Sequence, residues 1–288
     1  MKRLSYRKRR YVEAYIFILP WLIGFVLFFI QPIFNSLRLS FGEITRVGTL
    51  NTKSVGFRHY ITAFVADIDF IPIFKDILID TLVQTPLIVV LSLIIAVMMN
   101  QRIKGRGVFR MIFFMPVVLG SGFIMQQLLN QGVQNQAVAA AKGLILSDNT
   151  VNYLGAGVVS VASDFMDTIV LVLWKSGVQI VLFLGGLQGI QPTIYESARV
   201  DAATEWELFW MITLPMLSPT VLLCSIFTIV DSFTDSSNAM LNYIYQEAFG
   251  TTNNFEYAAA LGWIYFLVVA IIIAVVYKAI HMYVQRLN

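Results

Sequence analysis

The chain has 288 residues, 58% of them hydrophobic and only 13% charged, with a net charge of +3. That charged share is about half the usual value for a soluble domain, which excludes a globular cytosolic protein and describes a chain that crosses a membrane several times. The single cysteine, Cys224, lies inside an apolar run, and His59 and His281 are isolated, so neither a disulfide framework nor a metal centre can be drawn.

Residues 1–13 form a basic N-terminus, MKRLSYRKRR followed by a short lead into an apolar run. The run is too long for a signal peptide and no small-residue cleavage pattern follows, so it reads as a retained first span over 14–36. About 20 apolar residues cross the hydrocarbon core, and five further spans are expected at 81–99, 109–129, 164–187, 211–230 and 257–279. With the N-terminus inside, the cytoplasmic segments carry thirteen Lys and Arg and the longer external segments carry six. That bias predicts both termini on the cytoplasmic side. The expected fold is therefore an all-α membrane domain over 14–288.

The external segment 37–80 contains GFRHYITAF and is expected to hold a short helix near Pro72. The second, 130–163, includes AVAAAKGLIL, which could lie as an amphipathic helix on the outer surface. Within the fourth span, Lys175 sits near mid-membrane, where a charge is costly and tends to face an interior or a water-filled path. It either faces a pathway or a carboxylate across an interface with a second subunit, or snorkels outward beside Asp167. Asp231 and Asp235 follow the fifth span with Ser232, Ser236, Ser237 and Asn238. This polar group could hydrogen-bond a hydroxyl-rich solute while Trp174, Tyr243, Tyr257 or Trp263 stacks on sugar faces. Aromatic residues also collect at membrane interfaces without any ligand. Pro20, Pro86, Pro116 and Pro219 interrupt spans and suit helices that bend during gating.

The stretch between the fourth and fifth spans, 190–214, is different in kind. Thr193 with Glu196, and Thr204 with Glu207, read as two capping boxes opening two short helices. Pro215 has no N–H to give the preceding turn, so the chain should bend or restart there. Five charged groups fall within Glu196–Glu207. Their acidic balance argues against a lipid-bound interfacial helix, which should be lysine-rich.

Glu196, Ala198, Asp201 and Ala203, followed by Ile212, Leu214 and Pro215, resemble the EAA loop of ABC importer permeases. Ser197 replaces the first alanine of that motif, and Ala202 stands where the family has the glycine of its turn. If the turn is left-handed, alanine there costs about 1 kcal/mol relative to glycine. Asn242–Val268, with Ala258–Trp263, the first span, and Trp174–Ile190 resemble the carbohydrate-uptake subfamily of these permeases. The resemblance implies a type I permease fold of six spans in a prokaryotic inner membrane. It implies a second homologous permease, two ABC ATPase subunits carrying ATP and Mg, and an extracytoplasmic solute-binding protein that meets the surface around 37–80. In that family the loop couples the spans to the ATPase. The implied contacts are Glu196 with a basic residue in the ATPase groove, and Ala198, Ala203 and Trp206 or Phe209 against its wall.

No GxxxxGK[ST] occurs, and Gly-Lys is absent from the chain, so no phosphate-cradling loop can be drawn. No catalytic motif and no nucleic-acid-binding feature is present. The rival readings are a permease for another solute, such as glycerol phosphate or a polyamine, and an ion-gradient transporter. The latter should show inverted repeats with interrupted helices, which six unequal spans do not suggest.

Overall fold

The computed structural model describes residues 6–44, 52–101, 107–108, 111, 168–169, 172–173, 175–235, 237–250 and 253–287. The span expected at 109–129 apart from residue 111, most of the first half of that at 164–187, the segment 130–163, and Trp174 lie outside the described residues. What is described is helical apart from one hairpin. Three helices are long and apolar enough to cross a membrane, or up to five if each of two bent pairs is one span. The protein is a multi-pass membrane protein.

Two compact units divide the chain: Met1–Lys75 with Ala239–Val268, and Asp76–Asn238 with Val269–Asn288. The first opens with α1 (Tyr6–Phe25), a π turn (Val26–Ile30) and α2 (Gln31–Ser40). Together they outrun the expected first span. The most apolar stretch of Tyr15–Ser40 has no residue buried within the chain. Phe25 nonetheless stacks between Trp21 and Phe29, with ring centroids 5.4 and 5.6 Å apart. A helix apolar on every side and unburied by its own chain is built for lipid or another subunit.

A short antiparallel hairpin follows, β1 (Gly42–Ile44) against β2 (Thr52–Ser54), with Glu43 opposite Lys53. It was not expected in an all-α chain, because three-residue strands carry too little alternation to register. GFRHYITAF forms α3 (Arg58–Val65), whose Tyr60 and Ala63 turn inward. The short helix expected near Pro72 is not separate. Pro72 lies in the first turn of α4 (Phe70–Asn100), where its missing N–H is an orphan in any case. At 31 residues α4 is about 46 Å long, well beyond the roughly 30 Å hydrocarbon core.

α10 (Ala239–Phe249) and the start of α11 (Phe255–Leu287) complete this unit. One carboxylate, Asp67, ties it together. Its Oδ1 accepts the amides of Asp69 and Phe70, both at 3.0 Å, and so caps α4. Its Oδ2 accepts the hydroxyls of Tyr243, at 2.7 Å, and Tyr257. Burial alone would raise the Asp67 pKa; the two tyrosine hydroxyls and two amides outweigh it and hold the carboxyl below its ordinary value. Glu256 does similar work for the hairpin, accepting the Ile44 amide at 2.6 Å.

The second unit is built on α4, α5 (Gly177–Gly189) and α9 (Ser218–Thr234). Val89, Leu93, Ala96 and Met99 of α4 pack with Ile180, Phe183, Leu184 and Leu187 of α5, and with Leu217 and Cys224. Gly186 is what lets α5 approach α9 closely. A Cβ there would stand 2.6 Å from Thr220 Oγ1 and 2.9 Å from Leu217 Cδ2.

Candidate functional site

The segment joining α5 to α9 holds the expected loop. α6 (Pro192–Val200) leaves α5 at a 64° bend. Its first cap is not the one expected. Gln191 is the extended N-cap, and Pro192 takes the first helical position with its φ already set. Thr193 therefore falls inside the helix, where its carbonyl accepts the Ser197 hydroxyl at 2.9 Å. Glu196 is not used as a cap and stands exposed.

The far end of α6 explains Ala202. The Ala203 amide reaches Ala198 O at 3.0 Å and the Ala202 amide reaches Arg199 O at 3.1 Å. These are the two bonds of a Schellman motif, whose C′ residue must be left-handed. Ala202 occupies that place with φ 60°. The turn is therefore built with alanine in a conformation that favours glycine.

The second capping box is present. The Glu207 amide donates to Thr204 Oγ1 at 3.3 Å, and Glu207 Oε2 accepts the Thr204 amide at 2.8 Å, opening α7 (Glu205–Glu207). The Thr204 amide, then its hydroxyl, hold the Glu207 carboxyl below its ordinary pKa. Arg199 bridges the turn to Glu205 at 3.0 Å, an exposed pair that aligns the helices more than it stabilises them. Beyond it come a π turn (Leu208–Thr213) and α8 (Leu214–Met216). The helix runs through Pro215 and breaks two residues later, at Leu217 before Pro219.

This module has two faces. Ile194, Tyr195, Phe209 and Leu214 pack against the core of the second unit. Ala198, Ala203 and Pro215 are half-buried, while Glu196, Ser197, Asp201 and Ala202 are exposed. So are Val200 at 86%, Trp206 at 71% and Met211 at 74%. Trp206 thus presents outward, whereas Phe209, expected beside it, is turned toward the core. Trp210 takes the outward place instead, its ring 5.5 Å from that of Trp206. A four-residue spacing from Trp206 was the signal available for it; the π turn made that spacing harder to read.

The other predicted residues separate into two groups. Lys175 Nζ meets Asp235 Oδ2 at 2.9 Å, both side chains about three-quarters buried at 25% and 24% exposure. Its carboxylate partner is thus in this chain. Asp235 Oδ1 accepts the Ser237 amide and hydroxyl, both at 2.9 Å. Asp231 is exposed one turn earlier on α9. Below this cluster Gln179, wholly buried, donates to Thr228 Oγ1 at 2.9 Å, and Thr81 pairs with Ser232 at 3.0 Å. Tyr257 and Trp263 belong to the other unit. The Tyr257 hydroxyl is bonded to Asp67, and Trp263 packs edge-on against Phe266.

No protein-family model matches the chain. The multiple sugar-binding transport system permease protein of Streptococcus mutans is 31% identical over 274 residues, spanning 89% of this chain and 91% of that one. The lactose transport system permease protein of Rhizobium radiobacter is 26% identical and spans 92% and 93%. Among solved structures, a chain of a bacterial alginate ABC transporter, in complex with an alginate pentasaccharide-bound periplasmic protein, is similar in fold. It gives a TM-score of 0.62 at 19% identity over 96% of both chains.

Proposed function

The chain belongs to the carbohydrate-uptake subfamily of ABC importer permeases, and from that premise we propose that it is one of two different membrane subunits of an oligosaccharide importer. The observation that carries this reading is the module Pro192–Met216. It is an exposed, acidic, doubly capped helical turn set between spans, with its apolar side anchored in the core. A loop of that kind has little use unless a partner docks on it.

The proposed topology has six spans with both termini in the cytoplasm of a prokaryotic inner membrane. Two ATPase subunits, which hold ATP and Mg, engage the loop. Glu196 and Asp201 meet basic groups at the rim of the ATPase groove, and Trp206 packs on its wall. ATP binding closes the ATPases, the loop moves with them, and the spans tilt to accept solute from an extracytoplasmic binding protein. Lys175, Asp231 and Asp235 contribute polar groups to the path. This chain carries no phosphate-binding loop and leaves hydrolysis to its partners.

The test is co-expression with the genomic neighbours, purification in detergent, and ATPase assay with lactose, maltose and arabino-oligosaccharides as probes. The expected result is recovery of a second permease and an ATPase, with turnover lost in Glu196→Arg. Recovery of this chain alone, folded and monomeric, would overturn the reading.

A further inference from the structure

Between the capped turn and α8 the backbone is not α-helical. Leu208–Thr213 is a π turn, in which the Leu214 amide reaches back five residues to Phe209 O. Such a turn holds one residue more than the α turn it replaces. Its conversion to α would shift everything downstream by one residue, about 100° of rotation and about 1.5 Å of rise.

The side chains around this turn form an ordered relay. Thr213, buried, donates its hydroxyl proton to Leu208 O at 3.1 Å, the carbonyl five residues back. A hydroxyl has a single proton. At its 3.0 Å contact with Tyr195, Thr213 must therefore accept, and the Tyr195 O–H donates. The relay runs from Tyr195 on α6, through Thr213, to the wide turn itself. Tyr195 is half-buried against the core, and the next residue, Glu196, stands exposed on the docking face. The other π turn among the described residues, Val26–Ile30, buries no residue, whereas Leu208–Thr213 buries both its ends. Leu208–Thr213 also carries a side-chain bond to a neighbouring helix, through Thr213 and Tyr195.

We propose that Leu208–Thr213 is a two-register element in the linkage between the loop and α9, and that Tyr195 is the positioning residue that sets its register. Movement of α6 by a docked ATPase alters the Tyr195–Thr213 bond, and the turn passes that movement to α9 as a rotation. The inference rests on the reading of 190–214 as the coupling loop.

The experiment is amide hydrogen exchange over residues 208–217 in the intact complex, nucleotide-free and then trapped with ATP and vanadate. In the wild type, exchange is expected to differ about fivefold between the two states, the equivalent of about one neutral hydrogen bond. Tyr195→Phe, which removes one oxygen, should abolish that difference, as should Thr213→Val, while Thr213→Ser should retain it. Tyr195→Phe combined with Thr213→Val should go no further than either alone. Equal exchange in the two wild-type states, or a difference that survives Tyr195→Phe, overturns the proposal. A lower yield of complex with the state difference intact does so too, since Tyr195 would then be a packing residue only. Failure of the coupling-loop reading is visible separately, as absence of the ATPase from the purified complex.

Discussion

Ala202 holds a left-handed backbone because the Schellman bonds on either side of it close only in that conformation. Ala202→Gly should therefore raise stability by about 0.5–1 kcal/mol, the relief of the Cβ contact partly offset by a freer unfolded chain. Ala202→Val should lower it, and thermal unfolding of the purified protein reads both. At Lys175 the opposite logic applies. Lys175→Met leaves Asp235 partly buried without its cation and should cost about 1–3 kcal/mol. The double change Lys175→Met with Asp235→Leu should recover most of that in the same melts. Asp67 gives a pH dependence whose sign follows from its donors. Its pKa is lower folded than unfolded, so its contribution is complete above the unfolded carboxylate value, about 3.9, and is lost as pH falls through the folded one. Melting temperature should fall with acid in the wild type. In Asp67→Asn it should start lower at neutral pH and fall less steeply; parallel curves would show that Asp67 is not the group responsible.

At the scale of elements, the approach of α5 to α9 depends on the missing side chain at Gly186. Gly186→Val should push the helices apart and cost about 1–3 kcal/mol; Gly186→Ala should be milder and be relieved by Thr220→Ala. Melting of the three variants checks the order. Elements set by local chemistry were legible in the sequence. Thr204 and Glu207 were readable as a box because both partners lie within one turn. The left-handed turn was legible only as a condition: the resemblance puts a glycine where Ala202 stands, but nothing in the sequence says that alanine keeps the tight turn instead of widening it. Elements decided by competition were not. Thr193 has the spacing of a cap, but Pro192 beside it takes the helix start. Phe209 and Trp210 are both large aromatics, and residue type alone does not announce that Phe209 turns toward the core while Trp210 stands exposed. Pro72 reads as a breaker, yet in a first turn it interrupts nothing. The charge pair of Lys175 was legible in kind but not in partner, since 60 residues separate it from Asp235.

For the whole molecule, the first helix exposes apolar side chains all round, and in a bilayer those positions meet hydrocarbon or another subunit. Phe28→Lys should therefore hinder insertion by about 2.5–3.5 kcal/mol, while Phe28→Leu should not. Alkaline extraction of membranes separates the two outcomes. The multi-pass character was legible in apolar length and composition, whereas the hairpin and the Asp67 junction rest on contacts between distant segments that carry no local pattern. One of those long-range contacts also constrains how the protein is made. Gln179 is wholly buried and its amide donates to Thr228, 49 residues later in the chain. When α5 leaves the ribosome, α9 has not been synthesised, so the Thr228 hydroxyl is not yet there to accept that proton. This bond forms only once α9 reaches α5, which makes the pairing of these two helices a late step in the making of the protein.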